Sequence, residues 1–354
     1  MNKMYKKSFA VFTAAVLAAF LLIFLLVCCK KNQDKKNAEL QKIAEDSGSE
    51  NIILGFSQIG SESAWRTRNT ESIFEAAARQ NIQILFDDAQ QKQENQLKAI
   101  RSFIIYQVDA IAFVPIVEDG WDNVLQEAKD AGIPVILVDR KITADPSLYS
   151  AFLGENSLEE GRNAARFLLQ KFKYKKEDIT IFEMSGTENS SVVKERASGF
   201  REIINKEPKF KIIHTENGDF LRSRGKEICD ILLANNVREN GNTTNTLFFH
   251  GQKIDVVFSH NDSMTLGFLD SLDAHKIRIR DTVFISIDAE QKSIDALTKG
   301  KLNCVVECNP NLGPALMDLV KIITSGNSIP KTTYVTERVF TENDDFSKYE
   351  PRGY

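Results

Sequence analysis

From Ile52 onward, short apolar runs alternate with longer segments of helical period, and this alternation limits the fold more than any other feature of the chain. The runs at 52–56, 83–87, 110–114, 135–139, 151–154, 179–184, 211–216, 256–259, 282–287 and 302–307 are too short for helices and predict strands. Between most of them lie helical stretches such as 94–107, where Leu97, Ile100 and Ile104 share one face. Pro115 and the Gly132-Ile133-Pro134 turn punctuate element ends. Strand–helix alternation at this spacing implies parallel sheets wound by right-handed crossovers. The expected class is therefore α/β: two Rossmann-like lobes with parallel sheets, joined by a multi-strand hinge.

Residues 51–150 are expected to build an N-terminal lobe and 151–308 a C-terminal lobe. Segment 309–328 begins with Pro310 and Pro314, runs helical and is expected to recross to the first lobe; 329–354 would complete the second. No internal repeat of fixed period is evident. Segment 235–251 reads as a surface insertion, with Leu247, Phe248 and Phe249 packing it down.

Ahead of this region, Lys3, Lys6 and Lys7 precede an apolar run from Phe9 to Cys29. About 20 such residues span a membrane as a helix, and a basic start before an apolar core also fits an export signal. The run closes Leu26-Val27-Cys28-Cys29, which resembles a lipoprotein processing site, so Cys28 or Cys29 is the expected lipid acceptor. Lipidation, an uncleaved anchor helix and simple cleavage all place the rest of the chain outside the cytoplasmic membrane. Residues 30–50 carry five basic and five acidic side chains and no aromatic. A stretch of that composition cannot bury enough apolar surface to order itself, and it reads as a tether.

The net charge of −4 gives no reason to expect a nucleic-acid partner. Cys304 and Cys308, four apart on an expected strand, sit about 13 Å from one another, too far to bridge. His214, His250, His260 and His275 show no metal-ligand spacing, so no metal and no cofactor are expected.

Polar residues gather where the expected strands end. Ile52-Ile53-Leu54 leads into a loop between Gly55 and Gly60 that carries Ser57, Gln58, Glu62, Ser63 and Trp65. In open α/β sheets ligands sit at this carboxyl end. A tryptophan face beside hydrogen-bonding groups suits a sugar. Asp139-Arg140 closes the strand that begins at Val135, and a carboxylate next to a guanidinium can hold adjacent hydroxyls; a surface ion pair is the plainer reading. Asn261-Asp262 and Asp288 end strands of the second lobe, and a helix N-cap is the plainer role for each, Asp262 above all. Arg196, at an expected helix start, is placed to reach the cleft, and Phe220 offers a second aromatic wall or a core residue.

The sequence carries little sign of catalytic machinery. Gly55-Phe-Ser57-Gln-Ile59 misses the nucleophile-elbow pattern at its fifth residue. No phosphate-cradling loop, dinucleotide fingerprint or calcium loop is present. A binding protein, not an enzyme, is expected.

Several segments carry a family resemblance: GFSQIGSESAWR (55–66), DDAQQKQENQLKAIRSF (87–103), DAIAFVPIVEDGW (109–121), IPVILVDR (133–140), NGDFLRSRGKE (217–227), SHND (259–262), SID (286–288) and ECNPNLGP (307–314). On these residues the chain resembles the type I sugar-binding proteins of ABC transporters, in the ribose/galactose-binding branch with its galactofuranose-binding members. The resemblance implies contacts from Glu62, Ser63, Ala64, Trp65, Arg66, Asp139 and Arg140 in the first lobe. From the second it implies Arg196, Asn261 and Asp288, with Ser191 and Asn309 beside them. Gln90 to Gln96 would cap and start a helix. The long leader, the 235–251 insertion and the 185–191 segment depart from the family pattern. The implied role is extracytoplasmic capture of one monosaccharide, galactofuranose-like or a related aldose, by a monomer serving an ABC permease. A sensor presenting the bound sugar to a chemoreceptor or histidine kinase is the alternative. Trp65→Ala is expected to weaken sugar binding without unfolding the protein.

Overall fold

The computed structural model describes residues 52–240 and 246–354. The expected leader at 1–29, with Cys28 and Cys29, and the tether at 30–50 lie outside the described residues, and no described helix is long and apolar enough to cross a membrane. Residues Ile52–Tyr354 form one compact unit.

The strand expectations hold closely, because a strand covered on both faces must be apolar along its whole length. β1 (Ile53–Gln58), β2 (Gln83–Asp88), β3 (Ala110–Phe113), β4 (Val135–Val138) and β5 (Ala151–Gly154) join β13 (Thr332–Tyr334) in a six-stranded sheet of order β13-β5-β4-β3-β1-β2. All its pairings are parallel. The second sheet contains β6 (Ile179–Ser185), β7 (Phe210–Asn217), β10 (Val256–Ser259), β11 (Val283–Asp288), β12 (Cys304–Glu307) and β14 (Val339–Thr341), in the order β14-β12-β11-β10-β6-β7. Only β14 runs antiparallel there.

The connecting helices are α1 (Ala64–Gln80), α2 (Gln93–Ile105), α3 (Asp122–Asp130), α4 (Ser157–Lys171), α5 (Ser191–Ile204), α6 (Arg222–Asn240), α7 (Asp262–Ala274), α8 (Gln291–Thr298) and α9 (Gly313–Thr324). Side-chain caps at Ser63, Asn156, Ser190 and Asn261 accept backbone N–H groups and fix where α1, α4, α5 and α7 begin.

The lobes change over at places other than those expected. β5 belongs to the first sheet, so the chain leaves that lobe after Gly154 and not after 150. β13 also pairs with the first sheet, through β5, before β14 returns to the second. The three-residue β13, Thr-Thr-Tyr and mostly exposed, is too short and polar to stand out by pattern. Three crossings therefore link the lobes, at 155–156, 308–312 and 335–338.

Within the expected insertion, α6 continues to Asn240, and β8 (Phe248–Phe249) pairs antiparallel with β9 (Gln252–Lys253) through His250 and Gly251, both at positive φ. Leu247 is fully buried in the second lobe's core, and the Phe249 ring lies 5.6 Å from Phe182. The described cysteines, Cys229, Cys304 and Cys308, are free and buried.

Candidate functional site

The carboxyl ends of both sheets face one another across a pocket of about 320 Å³, including its open mouth. Its wall is made of Glu62, Ser63, Trp65 and Arg66 after β1, Asp139 and Arg140 after β4, and Val192 and Arg196 on α5. Phe220 follows β7, Asn261 follows β10, Asp288 ends β11 and Cys308 follows β12. Every strand of the six-stranded second sheet except β14 leads into at least one of these groups.

The first half-site is a buried ion network. Ser63 caps α1 by accepting the Arg66 N–H at 3.0 Å, which sets the first helical turn so that Arg66 points back across the strand ends. Arg66 donates from Nε to Glu62 Oε1 at 3.0 Å and from Nη2 to Asp139 Oδ2 at 2.5 Å. Burial alone would lower the Arg66 pKa, but Asp139 and Glu62 together raise it. Arg140 donates from Nη1 to Ile116 O at 3.2 Å, while its Glu62 and Asp139 contacts are longer, at 3.9 Å. Burial, helped by the Arg66 charge, pushes Arg140 down to about 10, so it stays protonated at neutral pH. Two buried donors, Arg66 Nη1 and Arg140 Nε, have no hydrogen-bond acceptor among the described residues.

The second half-site answers it. Arg196 donates from Nε to Glu160 Oε2 at 2.6 Å and from Nη1 to His260 O, and its Nη2 lies 3.8 Å from Asp288 Oδ1. Burial pushes the Asp288 carboxyl up, against the pull of Arg196. The Phe220 ring lies near both lobes' guanidinium carbons, 5.6 Å from that of Arg140 and 6.0 Å from that of Arg196. Gly186 makes room for it, since a Cβ there would fall 2.1 Å from the ring. Asp139 (φ 63°), Phe220 (φ 61°) and Asp288 (φ 128°) all hold backbone conformations that side-chain-bearing residues rarely adopt. Such strain gathers at binding sites, where the surrounding structure enforces it.

The lobes are drawn together around this pocket. Glu118 N donates to Asn189 O at 3.2 Å, and Lys141 N donates to Ser191 Oγ at 2.8 Å. Lys141 pairs with Glu195 at 2.6 Å, and Lys194 pairs with Glu118. Trp65 donates from Nε1 to Cys308 O at 2.7 Å and packs among core residues of the second lobe, including Ile287 and Val306.

Most of the site residues expected from sequence meet in this pocket, and four do not line it. Ser57 is fully buried on β1, in register with Asp87 of β2 and facing its carboxyl. Ala64 is exposed at the start of α1. Ser191 spends its hydroxyl on the Lys141 N–H, and Asn309 accepts from Asn311 N at 3.1 Å in the hinge. Asn261 combines both readings: it caps α7 by accepting Met264 N–H at 3.0 Å, donates to Phe220 O, and lines the pocket. Asp262, not Asn261, organises the turn after β11, accepting Glu290 N–H at 2.7 Å and the Ser286 hydroxyl. Val192 and Cys308 were not expected in the wall; an apolar residue and a thiol carried no signal beyond adjacency to Ser191 and to the end of β12.

One group among the described residues brings three metal-capable side chains together: Glu160, Cys308 and Glu337, with ligand atoms within 4.8 Å of one another. Glu160 is already paired with Arg196 there.

A family model described as a periplasmic binding protein domain matches residues 54–328. The galactofuranose-binding protein YtfQ of Escherichia coli (strain K12) is 36% identical over 309 residues, 86% of this chain and 93% of that relative. A crystal structure from Mycobacterium smegmatis in complex with β-D-fucofuranose is 40% identical with a TM-score of 0.74, covering 82% of this chain and 91% of that one. The periplasmic binding protein component of the arabinose ABC transporter from Shewanella sp. ANA-3, bound to α- and β-L-arabinofuranose, is 37% identical. Its TM-score is also 0.74, with 82% of this chain and 92% of that chain covered.

Proposed function

Because the chain belongs to the periplasmic binding protein domain family, we propose that it is the extracytoplasmic sugar-binding component of an ABC transporter, capturing one monosaccharide in furanose form. The observation that carries this reading is the pair of buried donors, Arg66 Nη1 and Arg140 Nε, left without acceptors among the described residues in the wall of an interlobe pocket. A sugar hydroxyl accepts from such a donor and gives its own proton to a carboxylate, and Glu62 and Asp139 stand beside both arginines. Three guanidiniums (Arg66, Arg140, Arg196) face three carboxyls (Glu62, Asp139, Asp288) in the wall. That balance suits an uncharged ligand better than a sugar acid or sugar phosphate.

Trp65 and Phe220 supply the apolar faces against which ring C–H groups pack. Val192 and Ser63 also line the wall. A five-membered ring is the form bound in the fucofuranose and arabinofuranose complexes. Closure of the two half-sites on the ligand then provides the differential affinity that favours the closed state. The protein acts as a monomer, handing its sugar to a permease. It is held to the membrane by lipid on Cys28 or Cys29, or by the apolar run as an uncleaved helix.

Isothermal titration with methyl β-D-galactofuranoside, L-arabinose and matched pyranosides tests the ligand class. Binding of the furanose forms with saturable heat supports the proposal; no heat with any neutral sugar sinks it. Mass spectrometry of the N-terminal peptide from membranes, with Cys28→Ser and Cys29→Ser, separates lipidation from an uncleaved anchor.

A further inference from the structure

The three crossings between the lobes converge on one buried spot. Glu155 follows β5, Cys308 follows β12, Glu337 lies between β13 and β14, and Glu160 enters from the first turn of α4. Glu155 and Glu160 are 1% and 0% exposed. Oxygens of Glu160 and Glu337 and the Cys308 Sγ lie within 4.8 Å of one another. The cation in direct contact is Arg196, through Glu160 Oε2. Glu160 reaches it because glycines let α4 and α5 touch: a Cβ on Gly161 would fall 2.1 Å from Arg196 O, and one on Gly199 would fall 2.0 Å from Leu158 O.

The oxygens left over have no donor. Glu160 Oε1, Glu337 Oε1 and both carboxyl oxygens of Glu155 are buried without a hydrogen-bond partner among the described residues. Ionised carboxylates only accept, so Glu160 and Glu337 facing one another leave two orphaned acceptors and an uncompensated buried charge. A proton on one of them removes both faults at once.

We propose that Glu160 is the positioning residue that holds Arg196 toward the sugar, and that it does so as half of an acid–carboxylate pair, with Glu337 carrying the proton and donating it to the Glu160 oxygen that Arg196 leaves free. Glu160 thereby stays anionic for Arg196 while the hinge avoids a second buried charge. The groups facing Glu337 are Glu160, Glu155, Arg196 and Cys308, drawn from the other two crossings, α4 and α5. Glu155 in turn faces Asp139 and Arg66 across the lobe boundary. Burial first, then Glu160, pushes the Glu337 carboxyl far above the usual range, against the pull of Arg196. The same crowding raises Glu155. Removing the Glu337 proton sets two carboxylates against one another at the third crossing and loosens the anchor of Arg196.

The proton count stands on the hinge alone, whereas its effect on affinity rests on the sugar-binding reading above. The test compares the full-length chain in mild detergent with Glu337→Gln, whose amide N–H replaces the shared proton. With one fewer proton taken up on folding, the ratio of the two unfolding constants changes about tenfold per pH unit between about pH 6 and pH 8. One infrared carbonyl band of a buried carboxylic acid, present in the unaltered chain at neutral pH, disappears in the variant, while absorption from other buried acids such as Asp262 remains. With methyl β-D-galactofuranoside as probe at neutral pH, Glu337→Gln binds within about threefold of the unaltered chain, while Glu160→Gln loses about tenfold or more. Equal pH slopes with the carbonyl band retained overturn the proposal. So does stoichiometric Zn²⁺ uptake that Cys308→Ser abolishes, since it assigns the trio to a cation. A slope difference with no sugar bound by any variant upholds the pair and overturns the sugar reading alone.

Discussion

Arg66 and Asp139, 73 positions apart in sequence, meet at 2.5 Å with both side chains buried, tying the first turn of α1 to the end of β4 within the first lobe. Half of the pocket is thus assembled by protein–protein contacts alone, and the ligand meets donors already aimed.

Arg66→Ala leaves Glu62 and Asp139 as buried charges without their partner. Truncating one member of a buried pair costs about 3–5 kcal/mol, so both urea stability and sugar affinity fall sharply. Equilibrium unfolding and titration on the same preparation check this. Arg66→Lys recovers little, because a point charge cannot serve two carboxylates as a planar fork does.

Trp65→Ala behaves differently from what its sequence position suggested. The ring is 4% exposed and packs among second-lobe core residues, so truncation costs about 3–5 kcal/mol of stability as well as affinity. Trp65→Phe keeps most of the packing and loses the bond to Cys308 O, worth about 1 kcal/mol. Thermal unfolding with and without sugar separates the two contributions.

The half-exposed pairs Lys141–Glu195 and Lys194–Glu118 bridge the lobes at the rim. Each contributes about 1 kcal/mol or less to stability, yet both must break on opening. Lys141→Ala with Lys194→Ala is expected to speed sugar release several-fold and to flatten its salt dependence, leaving the association rate little changed. Stopped-flow tryptophan fluorescence at two ionic strengths measures both.

Stability also depends on pH through Asp262. Burial, then Glu290, pushes its carboxyl up to about 8. Between its unfolded value near about 4 and that folded value, the native state binds the extra proton, so this group's contribution is full at low pH and lost as pH rises toward about 8. The slope is at most about 1.4 kcal/mol per pH unit. Glu183 acts oppositely: burial would raise it, but His260 and Arg201 hold it low, so its contribution is lost as pH falls below the usual glutamate range. Asp262→Asn should therefore blunt the decline from about pH 5 to pH 8 without altering the acid limb. Denaturation curves across that range, identical for both proteins, would refute it.

The strands were legible because residues such as Val135–Val138 and Val256–Ser259 are buried on both faces, which forces continuous apolar runs. Their polar terminators, Asp139-Arg140, Asn261 and Asp288, were legible for the same reason: a charge directly after such a run has to sit at the sheet's end. Less could be read where partners are remote. Ser57 looked like a ligand group because the sequence does not show that it faces Asp87 across the sheet. Glu160 and Glu337 gave no signal, since each is an ordinary polar residue until three crossings bring them together. The two sheets share the same strand order around their switch points, yet no sequence period announced it, because the crossover lengths differ.

The unusual backbone at Asp139, Phe220 and Asp288 has a consequence for descent. A relative drifting toward a different sugar cannot exchange these three freely, because most replacements there would strain the main chain before touching the ligand. Selection for new specificity is left with wall positions outside that strained set, such as Glu62 and Val192. The pocket's history should be written mostly at those unstrained positions.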